Sequence, residues 1–163
     1  MKKIGIVMGS DSDLPIAEKA IDTLKELGVP YEVHVYSAHR TPGPAADFAA
    51  GAREKGFGVI IAAAGMAAHL AGAVAANTVL PVIGIPVSAK KLDGLDALLS
   101  TVQMPSGIPV ATVAINGGKN AAYLALQIIA VKHPEIKEKL LAHRVEMEEA
   151  AMKANKEVIE RFA

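Results

Sequence analysis

The sequence predicts a single α/β domain spanning residues 1–163, built on a doubly wound, five-stranded parallel sheet with helices on both faces and a long C-terminal helix. Three observations predict it. Short β-branched runs alternate with longer stretches of helical periodicity, the alternation that a parallel sheet with crossover helices produces. Four of the five runs are apolar without interruption, as strands covered on both faces must be. Finally, 163 residues suit one domain, and no repeat, linker or low-complexity tract divides them.

The first run, Lys3 to Met8, is read as the central strand. A helix follows: Ser12 and Asp13 offer caps, Pro15 fits the first turn, Ala17, Ala20, Ile21, Leu24 and Leu27 share a face, and Gly28 ends it. The second run, Tyr31 to Tyr36, keeps Glu32 and His34 on one side and suits a sheet edge. Helical patterns over 43–55, 66–77, 91–101 and 118–131 separate the remaining runs, Gly58 to Ala62, Val82 to Ile85 and Val110 to Ile115. Pro134 opens a last helix over 134–162, where Glu135/Lys139, Glu149/Lys153 and Glu157/Arg161 have the spacing of surface ion pairs.

The segment Met66 to Ala76 carries small or apolar residues on every side, and a helix apolar all round must be buried all round. One side meets the sheet. The other meets either a second subunit or the chain's own C-terminal helix; a homo-oligomer is the favoured expectation, with the 134–162 helix packing on a neighbouring subunit.

Composition excludes several classes. Seventeen basic residues balance seventeen acidic ones, so there is no electrostatic footprint for nucleic acid. With no Cys there is no disulfide frame, zinc-thiolate site or thiol nucleophile. The longest apolar stretch, Val59 to Ala76, is interrupted and too rich in Ala to span a membrane. The Met1-Lys2-Lys3 start runs straight into a strand, and a cytoplasmic protein is expected.

In open α/β sheets ligands bind beyond the carboxyl ends of the strands, so the strand-end loops hold the chemistry. The first, Gly9-Ser10-Asp11-Ser12-Asp13, has a glycine for close approach, hydroxyls, and a helix start that favours an anion. Asp13 repels a phosphate but accepts hydrogen bonds from ribose hydroxyls, so a nucleotide-like ligand reconciles both; the bland alternative is that Ser12 and Asp13 only cap a helix. Ser37-Ala38-His39-Arg40 supplies a hydroxyl and a guanidinium fork for phosphate. His69, among Gly, Ala, Met and Leu, is expected to be desolvated and neutral near pH 7, able to take and give a proton. Its bland alternative is a core histidine satisfied by a backbone carbonyl. His34, His133 and His143 are read as structural.

Absences narrow the reaction. Neither a G-x-x-x-x-G-K-[ST] nor a G-x-G-x-x-G run is present, and Gly117-Gly118-Lys119-Asn120 has the spacing of neither. No His and carboxylate cluster has metal-ligand spacing, so no metal is expected. The ends of strands one and three lack the acidic residues of a phosphorylated receiver, and the strand-end loops carry no aromatic for a flavin. Proton transfer on a phosphorylated small molecule remains. The alternative from another class is a non-catalytic nucleotide-binding module.

Taken together, Met8 to Asp13, Ser37 to Pro42, Ala67 to Leu70, Leu92 to Asp96 with Leu98 to Ser100, and Val102 to Val110 resemble the N5-carboxyaminoimidazole ribonucleotide mutase family of purine (IMP) biosynthesis, over almost the whole chain. The resemblance implies a flavodoxin-like fold and a homo-octamer. It implies that a carboxyl group moves from the exocyclic amine of the ribonucleotide to carbon 4 of the imidazole, with no cofactor. By motif position Ser10 and Arg40 hold the phosphate with Ser37, Asp13 the ribose, and His69 is the acid-base residue. Gly9, Ser12, Ala38, His39, Ala64, Gly65, Leu70 and the 103–107 segment line the site. Bacterial mutases usually read G-A-G-G-A-A-H-L-P-G where this chain has Ala63-Ala64-Gly65-Met66-Ala67-Ala68-His69-Leu70-Ala71-Gly72, so that, of the differences, Met66 and Ala71 replace a Gly and a Pro immediately beside the histidine. The sister activity, carboxylation of aminoimidazole ribonucleotide by free CO2, is the alternative; Arg40 after His39 and the His-Leu pair are closer to the mutases.

Overall fold

The computed structural model describes all 163 residues. Five parallel strands, β1 (Lys3–Met8), β2 (Tyr31–Val35), β3 (Phe57–Gly65), β4 (Val82–Val87) and β5 (Ala111–Thr112), lie in the order β2-β1-β3-β4-β5. The order reverses direction between β1 and β3. That is the switch point at which a crevice opens beyond the strand ends.

Side-chain alternation divides the interior into two layers. Ile4, Ile6 and Met8 of β1, with Val59, Ile61 and Ala63 of β3, face α1 (Leu14–Glu26) and α5 (Gly118–Ala130) in a core of twenty buried residues. Val7, Ile60 and Ala62 face the opposite way, against α2 (Pro42–Gly51) and α3 (Leu70–Ala75). The fourth helix, α4 (Leu95–Val102), lies on this second face and seats Thr101 against Gly84 of β4. The last helix, α6 (Pro134–Phe162), packs on α5 through Ile136 and a stack of His143 on Tyr123, with ring centroids 4.8 Å apart. No helix is long and apolar enough to cross a membrane.

α1 ends as its sequence requires. Gly28 takes a φ of +67°, and the amides of Gly28 and Val29 donate back to the carbonyls of Lys25 and Leu24, which closes the helix in a Schellman turn. β2 is an edge strand, as its half-polar pattern predicts.

Several boundaries differ from the sequence expectation. β3, not β1, is central; both are apolar throughout, so periodicity alone does not rank them. The helix expected over 66–77 covers only Leu70–Ala75, while β3 runs on to Gly65. Met66 sits in the left-handed region at φ +60°, and the amides of Ala68 and His69 donate to the carbonyls two residues back, so this stretch turns too tightly to be helical. The helix expected over 91–101 begins at Leu95, because Leu92, Asp93 and Gly94 all have positive φ. β5 is cut to two residues as Val113 and Asn116 bond individually to the carbonyls of Gly84 and Pro86.

α6 coincides with its predicted range, but its ion pairs do not. Glu135 meets His133 and Lys139 donates to the Leu27 carbonyl, while Lys156 and Glu160 form the pair on the outer part of the helix. The C-terminal helix lies on the face opposite α3, so it is not what covers the 66–76 segment. The chain itself covers part of that segment: Ala68, Leu70, Ala71, Gly72 and Val74 are buried, while Met66, Ala67, His69 and Ala76 are exposed.

Candidate active site

A cleft of about 580 Å³ lies at the β1/β3 switch point. Apart from the 103–107 segment, the site residues expected from the sequence line it. Gly9, Ser10, Ser12 and Asp13 come from the loop after β1, and Ser37, Ala38, His39 and Arg40 from the loop after β2. Ala64, Gly65, His69 and Leu70 come from the end of β3 and the start of α3. Met66, Ala67 and Ala68, and Val87, Ser88 and Ala89 after β4, complete the wall. The sequence assigns none of these six a role in binding or catalysis, although Met66, Ala67 and Ala68 stand in the motif around His69 and the strand-end rule marks both loops. The 103–107 segment does not line the cleft of its own chain.

The first loop holds its own shape. Ser10 Oγ accepts from the Ser12 amide at 3.3 Å, and Asp13 Oδ2 accepts from the Ser10 amide at 3.1 Å, a reciprocal capping box on a short 3-10 turn. The caps are therefore Ser10 and Asp13 of that turn, and neither Ser12 nor Asp13 caps α1 through its side chain. Asp13 is buried, and burial raises its pKa; hydrogen bonds from the Ser10 and Gly9 amides and the Arg40 charge oppose this, while Asp11 reinforces it.

The second loop is an equally local construction. Ser37 Oγ accepts from the amides of Arg40 at 3.1 Å and His39 at 3.3 Å. Thr41 Oγ1 accepts from the Ser37 amide at 2.8 Å and donates to its carbonyl. This turn brings Arg40 across to the first loop, where Nη2 donates to the Gly9 carbonyl at 2.9 Å. A guanidinium, the hydroxyls of Ser10, Ser12 and Ser37, and a buried carboxylate thus face one space. A phosphorylated ribose presents the complementary groups.

The two imidazoles differ. His69 is exposed in the single chain, contrary to the burial expected, because it precedes α3 instead of lying within a helix. Its Nδ1 donates to the Ser100 carbonyl at 3.1 Å, and its ring lies so close to Gly72 that a Cβ there would collide with it. His39 is exposed, and its side chain makes no hydrogen bond.

Residues 3–150 match the family model described as AIR carboxylase. The chain belongs to the AIR carboxylase family. A Pyrococcus horikoshii relative named N5-carboxyaminoimidazole ribonucleotide mutase is 61% identical over 144 residues, covering 88% of this chain and 81% of its own. One of the same name from Methanocaldococcus jannaschii is 54% identical across 98% of this chain and 99% of its own. Among solved structures, Treponema denticola PurE superposes with a TM-score of 0.83 at 29% identity, covering 93% of this chain and 94% of that one.

Proposed function

We propose that this AIR carboxylase family chain is an N5-carboxyaminoimidazole ribonucleotide mutase, an isomerase acting in purine synthesis. The observation that carries the reading is the convergence of three loops on one cleft, with Arg40, Ser10, Ser37 and Asp13 suited to a ribose phosphate and two imidazoles beside the space left for a base ring. The carbamate C–N bond breaks to release CO2 as the departing amine nitrogen takes a proton. Carbon 4 of the ring then attacks that CO2, and loss of the carbon 4 proton restores aromaticity. One acid-base group can give the first proton and take the second, and no electrons are gained or lost. Such catalysis contributes roughly 100- to 10,000-fold. The apolar Ala64-Gly65 wall supports the rest by excluding water around the captured CO2.

His69 is our assignment for that group. A donor bond from Nδ1 to Ser100 leaves Nε2 as the nitrogen that exchanges protons. His39 is the second reading, favoured by a ring that no hydrogen bond holds and that is free to follow a moving proton. His69→Asn and His39→Asn decide between them: the variant that loses turnover while still binding the ribonucleotide names the residue. Rates with synthetic carbamate substrate, compared with aminoimidazole ribonucleotide plus bicarbonate, test the reaction. Faster carbamate turnover supports the mutase; faster turnover of the second pair supports the sister carboxylase; turnover of neither supports a binding module.

We also propose that the chain works in the cytoplasm as a homo-octamer in which α6 packs on a neighbour. Beyond His143 every residue of α6 is exposed, including Val145, Met152, Ile159 and Phe162. Leu95, Leu99 and Val102 form a second exposed apolar stripe on α4, with Leu92 exposed in the turn before it. Mass measurement in solution tests the assembly; a monomer would refute it.

A further inference from the structure

We infer that Thr101 is a positioning residue for His69, an inference that rests on the assignment of proton transfer to that histidine. Two successive residues at the end of α4 hold two successive residues of the loop before α3. Ser100 offers its carbonyl to His69 Nδ1 at 3.1 Å, and Thr101 Oγ1 donates to the Ala68 carbonyl at 3.1 Å, sharing its proton with the Ala97 carbonyl at 2.7 Å. Thr101 is 2% exposed and Ala68 3%, so water cannot replace this bond.

The loop needs holding. Its amides at Ala68 and His69 are spent on two-residue turns, and Met66 is in the left-handed region, so local structure leaves the Ala68 carbonyl dependent on α4. If that carbonyl swings, His69 turns with it and the bond to Ser100 lengthens or breaks. That bond keeps the proton on Nδ1 and so makes Nε2 the working nitrogen.

The side chain of Thr101 has two separable parts. Its hydroxyl makes the bonds just described. Its methyl fills the notch at Gly84, where a Cβ would collide with it. Thr101→Val keeps the methyl and deletes the hydroxyl, while Thr101→Ser does the reverse. This separates positioning from packing.

The experiment measures kcat and KM with synthetic N5-carboxyaminoimidazole ribonucleotide, together with the imidazole ¹⁵N shifts of His69 identified by their absence in His69→Asn. Thr101→Val is expected to lower kcat about tenfold to a hundredfold with little change in KM, since misplacing a reacting group by about 1 Å costs on that order. Its His69 signals should move away from the Nδ1-protonated tautomer. Thr101→Ser should keep the parent's tautomer and most of its kcat despite losing the methyl. The inference is overturned if Thr101→Val matches the parent while His69→Asn is dead, or if Thr101→Ser is as impaired as Thr101→Val. Full turnover in His69→Asn would instead sink the parent assignment; the tautomer arm then still decides, an unchanged spectrum in Thr101→Val overturning the positioning role.

Discussion

Arg40 donates from Nη2 to the carbonyl of Gly9 at 2.9 Å, which ties the loop after β2 to the loop after β1 across 31 residues of sequence. The contact presents the guanidinium at the end of the cleft proposed for phosphate, with no salt bridge to it and the Asp13 carboxylate acting only at longer range. Arg40→Ala is therefore expected to weaken binding of a ribonucleotide by about 10- to 100-fold, the range of about 1.5 to 3 kcal/mol for a charged hydrogen bond. Binding of the dephosphorylated nucleoside should change little. Titration calorimetry with both ligands checks this, and equal losses would remove Arg40 from the phosphate role.

Met66 adopts φ +60° with 66% of its surface exposed, at the position where bacterial mutases usually carry glycine. A side chain in the left-handed region costs roughly 1–2 kcal/mol, partly offset by the greater freedom of glycine in the unfolded chain. Met66→Gly should raise stability by about 0.5–1 kcal/mol, read as a higher midpoint in urea with an unchanged slope. A lower midpoint would mean that the Met66 side chain stabilises the loop by packing.

These two residues mark the limits of what the sequence discloses. The strand-end loops and their chemistry are legible because small turn residues, hydroxyls and a guanidinium follow apolar runs, and every residue assigned a role in the loops after β1 and β2 lines the cleft. What is not legible is backbone strain. Met66, Leu92 and Asp93 all hold positive φ without being glycine, and each displaces a helix start that composition sets earlier. The partner of His69 is also hidden, because a backbone carbonyl on α4, 31 residues away, leaves no mark in residue type.

Asn116 illustrates the same point at β5. It takes φ +59°, accepts from the Ser88 amide through Oδ1 at 2.9 Å, and donates from Nδ2 to Ser88 Oγ at 2.8 Å. Ser88 lines the cleft, so this pair fixes its far wall. Asn116→Gly keeps the backbone conformation and loses the two bonds, at about 1 kcal/mol each. Asn116→Ala loses the bonds and also strains the backbone, adding roughly 1 kcal/mol. Denaturant midpoints should therefore fall in the order parent, Asn116→Gly, Asn116→Ala. Equal midpoints for the two variants would show that the loop relaxes out of the left-handed region.

Asp13 couples binding to stability. Burial raises its pKa above the ordinary carboxylate value, so the folded chain holds this proton more tightly than the unfolded one does. Between the two pKa values the folded state binds more protons, and stability falls as pH rises through that window and stays lower above it. The ionised carboxylate is thus a cost at neutral pH, and the proposed role in holding a ribose is what would retain it. Asp13→Asn keeps an oxygen for the Ser10 amide and removes the charge. The variant should melt above the parent at pH 7, with the difference vanishing below the ordinary carboxylate pKa, while its ribonucleotide affinity drops roughly tenfold as a charged hydrogen bond becomes neutral. A variant that melts below the parent at pH 7 would show that the Arg40 charge and the amide hydrogen bonds outweigh desolvation at this carboxylate.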